Sequence, residues 1–449
     1  MMRKHLMMVM CFVFLMGTTM TSCSSDDESA VTPVTQTEEK DNPKETEKED
    51  KEETPKSPEI VVDMLPTTRN IELTQQQRAF AQKNNDFSFN FYRALSATTE
   101  HKSLITSPLS LTFVLGMLND GAAGKTAEEI IQTLGFGEAD KQAVNEYCKA
   151  LITQAPVADP SVALKIANIV AANKDVELED AFKADMSGYY EAETASLDFS
   201  QPSALTYLND WCNAKTEGMI EKILDELSPE TKLVLMNAIY FKATWTEKFD
   251  EKDTNKEPFT KADGSTAEQP MMHRKAEIMY AANDLYSCIR LPFGSGDRYS
   301  MYVLLPEAGK TVDDVIAGLT NESWERNPFE PVNADIKLPR FATNSDLKLN
   351  DIIAGLGTPS MFDPDKADFS GISKNMKQLY VNLLKQKAAI EVSEEGTKTS
   401  AVTVAGMNAT SLGPEKSIEF HANRPFVYLI QEWSTNAIFF IGTFYGENN

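Results

Sequence analysis

Cysteine and histidine are scarce in this 449-residue chain, with five of the first and four of the second. Cys148, Cys212 and Cys288 fall in the globular part, an odd number at spacings that match no metal box. Neither a disulfide framework nor a structural zinc site therefore organises it, and the three thiols read as buried small apolar residues. His101, His273 and His421 have no second ligand three or four residues on, so they read as structural or surface residues. No G-x-S-x-G elbow, H-E-x-x-H, phosphate-binding glycine loop or C-x-x-C occurs, which removes the common catalytic and cofactor-binding sets. Positive charge is also short. Lys and Arg number 43 against 67 Asp and Glu, a net charge of -24, which argues against nucleic acid and against tight binding to sulfated polysaccharide.

What the N-terminus has is a short apolar run. Arg3 and Lys4 precede it, and residues 6–16 are too few to span a bilayer as a permanent helix. Residues 1–22 therefore read as an export signal. Met20-Thr21-Ser22-Cys23 resembles a bacterial lipobox, although methionine is unusual at its first position, and it implies lipidation of Cys23 and firm membrane anchoring. Ser24-Ser25-Asp26-Asp27-Glu28 resembles the acidic tags that direct some lipoproteins to the outer surface. Up to about Ile60 the chain is Glu, Lys, Asp, Thr, Pro and Ser, too polar to bury the surface that ordering needs. Residues 23–65 are expected to be a disordered acidic tether and 66–449 a single domain, held at the cell envelope as a surface-exposed outer-membrane lipoprotein.

The domain reads as α+β, helices early and strands late. Helical spacing covers residues 75–95. Ser107-Pro108-Leu109-Ser110 opens a second helix with Pro108 in its first turn, and Thr126 with Glu129 three residues on suggests a capped third. Residues 204–224 are expected to be helical as well, and 349–356 form a short helix. Strands are expected at 164–173, 388–392, 426–432 and 437–444, with a hairpin pairing 287–291 to 299–305. Residues 233–243 are apolar on both parities at first, which suggests a central strand of a large sheet.

One stretch stands out. Glu394-Glu395-Gly396 is followed by Thr397-Lys398-Thr399-Ser400-Ala401-Val402-Thr403-Val404-Ala405. Thr397, Thr399, Ala401, Thr403 and Ala405 are small and uncharged, and the one charge, Lys398, lies on the other parity. The segment lacks the large side chains of a permanent core strand. It reads as a loop able to become a strand, hinged at Gly396.

The flanks resemble the reactive-loop region of the serpin family: Ala388 to Thr397 on one side, and Asn423-Arg424-Pro425-Phe426 on the other. Further motifs fall in the same order: Asn85 to Tyr92, Ser107-Pro108-Leu109-Ser110, Leu115 to Ala122, Asn237 to Trp245, Leu338-Pro339-Arg340-Phe341 and Ala367 to Ile372. The resemblance implies three β-sheets, about nine helices and an exposed reactive loop. It implies no enzyme and no cofactor or metal, but a monomeric suicide inhibitor of serine proteases, with cysteine proteases as further targets. A protease cuts the loop, and the loop then inserts as a new strand. The hinge would be Glu394, Glu395, Gly396, Thr397, Lys398, Thr399, Ser400, Ala401, Val402 and Thr403. Counting on from Gly396 places the cut at Thr410–Ser411, whereas counting back from Phe420 and Pro425 gives Ser411 or Leu412. A small residue before the cut suits an elastase-like protease with a shallow primary pocket. Ser107, Ser110, Asn237 and Trp245 match the region where the sheet opens, but Gln386 stands where the family usually has histidine. A non-inhibitory serpin serving as a cell-surface binding module is the alternative.

Overall fold

Apolar residues recur at helical spacing early in the chain and in short β-rich runs later, and the elements follow that division. The computed structural model describes residues 67–137, 141–294, 296, 298–376, 378–396 and 416–447. All of them lie in one compact unit covering residues 63–449. The described residues form nine α-helices and fourteen strands in three sheets, the α+β architecture expected.

Helix α1 (Gln75–Ser96) starts from a capping box in which Thr74 and Gln77 satisfy each other's backbone N–H. Strand β1 (Leu104–Thr106) leads into α2 (Pro108–Gly121), capped by Ser107, whose hydroxyl accepts from Ser110 N. Every residue of α2 is buried, as its apolar circumference requires. Helices α3 (Gly124–Thr133) and α4 (Lys141–Gln154) pack beside it. Next come β2 (Ala163–Asn173), α5 (Asp180–Tyr190), β3 (Ala192–Leu197), α6 (Pro202–Lys215) and β4 (Leu233–Lys242). These three strands make a sheet of order β3-β2-β4.

The largest sheet follows. Its strands are β5 (Asn255–Thr260), β6 (Thr266–Ala282), β7 (Tyr286–Pro292), β8 (Tyr299–Pro306) and β9 (Glu330–Pro339), then β12 (Ser417–His421), β13 (Phe426–Glu432) and β14 (Ile438–Phe444), with β1 at one edge. Helices α7 (Val312–Gly318) and α8 (Asn321–Glu325) lie between β8 and β9. Strands β13 and β14 are buried throughout, at the centre of the core. The third sheet pairs β10 (Phe341–Lys348) with β11 (Lys385–Val392), antiparallel from Phe341↔Val392 to Lys348↔Lys385, with α9 (Asn350–Leu356) between them in sequence.

Three local expectations need correction. Thr126 is no cap: α3 starts at Gly124, and the Thr126 hydroxyl accepts from Asp368 N instead, at 3.0 Å. Helix α6 stops at Lys215 rather than continuing to residue 224, because Glu217 and Gly218 take positive φ (50° and 83°). And β4 is an edge strand, not a central one. It is apolar on both parities because both faces are covered. Leu235, Ile239, Phe241 and Ala243 join the main core, while Val234, Met236 and Ala238 join a second cluster under α6. Cys148, Cys212 and Cys288 are buried free thiols, as expected. His273 and His421, far apart in sequence, converge on Asp335 Oδ1 at 3.0 and 3.2 Å.

Candidate functional site

Strands β4 and β11 each end a sheet. They face each other across a gap whose walls they share. In the middle, Asn237, Ala238 and Ile239 stand opposite Gln386, Ala388 and Ala389. Higher up, Ile239 and Phe241 stand opposite Ile390 and Glu391, over Ile105, Ile430 and Phe440. At the lower end the gap opens into a cleft of ≈ 380 Å³ between residues 233–236 and 378–385. No strand among the described residues lies between β4 and β11. Strand edges present backbone donors and acceptors that need partners, so this gap is a template for one more strand.

The gap closes at its upper end. Thr244 and Gly396 form an antiparallel bridge. Trp245 N donates to Glu395 O at 3.0 Å and Phe249 N to Glu394 O at 3.1 Å. The Trp245 indole stacks on Phe293 with centroids 4.5 Å apart, and its Nε1 donates to Ser393 O at 2.8 Å. Gly396 has φ 113°, and a Cβ there would lie 2.5 Å from Ala243 O and 2.6 Å from Trp245 N. Only glycine fits that conformation and that approach.

Glu394 anchors the bend. Its side chain is only 4% exposed. It accepts from Arg340 Nε at 3.0 Å, from Arg340 Nη2 and from Thr254 Oγ1 at 2.6 Å. Burial pushes its carboxyl up, but the bonds from Arg340 and Thr254 outweigh this and hold it below the usual carboxylate range. A depressed folded-state pKa stabilises above the unfolded value and is lost as pH falls through the folded one. Glu394→Gln is therefore expected to lose about 1–2 kcal/mol at pH 7, since Arg340 is half exposed and screened. Urea unfolding should show this deficit shrinking below about pH 4; an unchanged deficit there would mean the carboxylate charge is not what holds the bend.

Four of the expected sheet-opening residues, Ser107, Ser110, Asn237 and Gln386, line one cavity in the gap, while Trp245 lies at its upper end with Glu394, Glu395 and Gly396. Gln386 ties β11 to the start of α2. Its Oε1 accepts from Thr106 Oγ1 and from Ser107 N (3.1 Å), and its Nε2 donates to Ser107 O at 2.8 Å. Asn237 instead donates to Asn168 Oδ1 at 2.8 Å, and its own Oδ1 is buried without a partner. Thr397, Lys398, Thr399, Ser400, Ala401, Val402, Thr403, Thr410, Ser411 and Cys23 lie outside the described residues.

Sequence reasoning missed the roles of Arg340, Thr254 and Asn168. Arg340 was within reach. It directly precedes β10, Glu394 lies two residues beyond β11, and the two strands pair end to end, so opposite charges meet where the ladder stops.

Comparison with known proteins bears on this arrangement. A family described as Serpin (serine protease inhibitor) matches residues 82–446. Serpin A3-6 of Bos taurus is 34% identical over 373 residues, covering 81% of this chain and 87% of that protein. An uncharacterized serpin-like protein of Thermococcus kodakarensis is 32% identical, covering 84% and 88%. Among solved structures, native tengpin, a thermophilic serpin, superposes with a TM-score of 0.74 at 27% identity, covering 85% of this chain and 96% of its own. Human thyroxine-binding globulin, complexed with thyroxine, gives 0.75 at 27%, covering 83% and 100%. At that coverage and identity the chain belongs to the serpin family, whose described role is inhibition of proteases and not catalysis.

Proposed function

We propose that the protein is an inhibitory serpin whose loop, once cut, enters the gap between β4 and β11. The observation that carries this reading is the bridge between Thr244 and Gly396, at the mouth of the gap. Continuing its antiparallel register sets each further loop residue opposite one residue back along β4. Thr397, Thr399, Ala401, Thr403 and Ala405 then stand opposite Ala243, Phe241, Ile239, Asn237 and Leu235, on the face that meets the main core. That parity brings no charge to desolvate and no bulk to overpack. Lys398 falls beside half-exposed Lys242, and Val402 and Val404 face Ala238 and Met236 in the cluster under α6. Met407 reaches Leu233, where β4 begins.

The target is an elastase-like serine protease cutting at Thr410–Ser411, with cysteine proteases as further targets. The protein acts as a monomer, anchored through lipidated Cys23 at the outer surface of the cell. The test is incubation with an elastase-like protease, a denaturing gel and mass analysis of the released peptide. A covalent band at the summed mass, with a peptide starting at Ser411, is expected. Complete loop cleavage with no covalent band at any ratio would favour a non-inhibitory binding protein, the second reading. Its support is the apolar cleft at the lower end of the gap, lined by Leu118, Leu235, Met236 and Leu379 among others.

A further inference from the structure

Asn237 offers the gap only one end of its amide, and what turns that end inward lies outside the gap. Tyr190 is the last residue of α5, so its carbonyl is among those a helix leaves without an internal partner. It accepts from Asn168 Nδ2 at 2.7 Å. A carbonyl can only accept, so Asn168 must aim its NH2 at Tyr190 and its Oδ1 the other way. That Oδ1 accepts from Asn237 Nδ2 at 2.8 Å, and the same Nδ2 lies 3.4 Å from Ala167 O. Both donors of Asn237 are thus taken on the β2 side. Reversing the Asn237 amide would set two acceptors face to face, so its Oδ1 is left towards the gap, buried and unpartnered, in the cavity shared with Ser107, Ser110 and Gln386. Gln386 cannot turn to meet it without giving up its bonds to Thr106 and Ser107.

Tyr190 is itself held. Its hydroxyl donates to Asn145 Oδ1 at 2.7 Å, and Asn145 Nδ2 donates to Asp120 Oδ1 at 2.7 Å. Glu191, with φ 48°, then turns the chain out of α5 into β3. The orientation relay therefore starts from a fixed point in the helical layer and ends in the gap.

We propose that this relay makes the gap chemically selective at the level of Asn237. It accepts a strand whose residue there donates a hydrogen bond, a Ser or Thr hydroxyl, and discriminates against an aliphatic residue of the same shape. Asn168 is the positioning residue. The inference rests on the reading that the gap takes a strand, and the register given above puts Thr403 at this level in the chain's own sequence.

The test uses two synthetic peptides with the sequence of residues 397–407, one native and one carrying Thr403→Val. Each is incubated with the full chain, and incorporation is followed by native gel and by the accompanying rise in Tm. The native peptide is expected to incorporate roughly tenfold faster or tighter, because a valine leaves the buried acceptor unmet. In Asn168→Ala, Asn237 is free to turn its NH2 inward, and the preference should fall to less than about threefold. Asn168→Asp loses the donor to Tyr190 O and is less stable, but it still offers Asn237 Nδ2 an acceptor and should keep the preference. A structural role alone would lower stability in both variants without moving the ratio between peptides. Equal incorporation of the two peptides by the wild-type chain overturns the selectivity and leaves the strand reading standing. Incorporation of neither overturns the strand reading and the selectivity with it.

Discussion

Thr399→Arg is expected to convert the protein from inhibitor to substrate. The loop is still cut, because residue 399 lies well before the scissile bond, but the covalent complex is lost. If the register of the Thr244–Gly396 bridge continued on insertion, residue 399 would stand opposite Phe241, which is 6% exposed and faces the main core. Phe241 packs edge-on against Phe293 and Tyr299, with centroids 5.3 and 5.6 Å apart. These neighbours are aromatic, and Glu391 across the gap is exposed, on the other parity of β11 from buried Ile390. An arginine arriving there would be buried without a counter-charge, a cost of about 3–5 kcal/mol even after relaxation. Since a 1.4 kcal/mol change in a barrier is a factor of about ten in rate, insertion slows by roughly two to four orders of magnitude, and hydrolysis of the acyl-enzyme wins. Gel densitometry over a range of protease ratios reads the outcome directly. Trapping at wild-type efficiency would show that residue 399 never enters the core, and the insertion reading would fail. Lys398→Arg, on the other parity beside half-exposed Lys242, should leave trapping unchanged and serves as the control.

Cleavage within the loop is expected to raise the heat stability of the protein, the reverse of what a cut usually does. An uncut loop is tethered at both ends, by Gly396 at the mouth of the gap and by β12, which is paired in parallel with β9 from Ser417↔Asn333 to His421↔Lys337. Cutting releases the upstream arm, which can then run the length of β4 and join its unpartnered edge to that of β11. The new strand would satisfy backbone groups on both edges and bury one parity against each of the two apolar clusters flanking β4. If the net gain is about 10 kcal/mol, an unfolding entropy of roughly 2.1 cal/mol/K per residue makes the rise about 12 °C for a domain of about 380 residues. Scanning calorimetry of intact and cut protein checks this. Unchanged or lowered Tm after complete cleavage would mean that the gap does not accept the loop, whatever the protease.

Much of the framework was legible because local signals agree with tertiary packing. Pro108 after Ser107 marks the start of α2, and the unbroken apolar circumference that follows marks it as buried. The alternation after Gly396 lies outside the described residues and bears only on the proposed insertion. The errors are equally local. Thr126 and Glu129 have the spacing of a capping box, yet Asp368 and Ser360 take their side chains as bonding partners from more than two hundred residues away. Residues 216–224 keep a helical pattern, but Ile220 N and the Thr216 hydroxyl bond to each other, and Ile223 and Leu224 donate to Asn209, in a turn that folds back on α6.

The order of residues along the chain marks out the segment proposed to change state. It placed a hinge glycine before alternating small residues and kept charge off one parity, and those are properties of the chain read in order. Where such a segment would find room is a matter of tertiary packing. Whether β4 lies inside a sheet or at its edge depends on hydrogen bonds to strands remote in sequence, and apolar residues on both parities fit either case. The ion pair of Arg340 with Glu394 and the bonds that hold the Asn237 amide against Asn168 are likewise set by which strands and helices end side by side. Side-chain periodicity reports the faces of a strand. It carries no information about its edges, and in this protein the edges of β4 and β11 are where the proposed chemistry takes place.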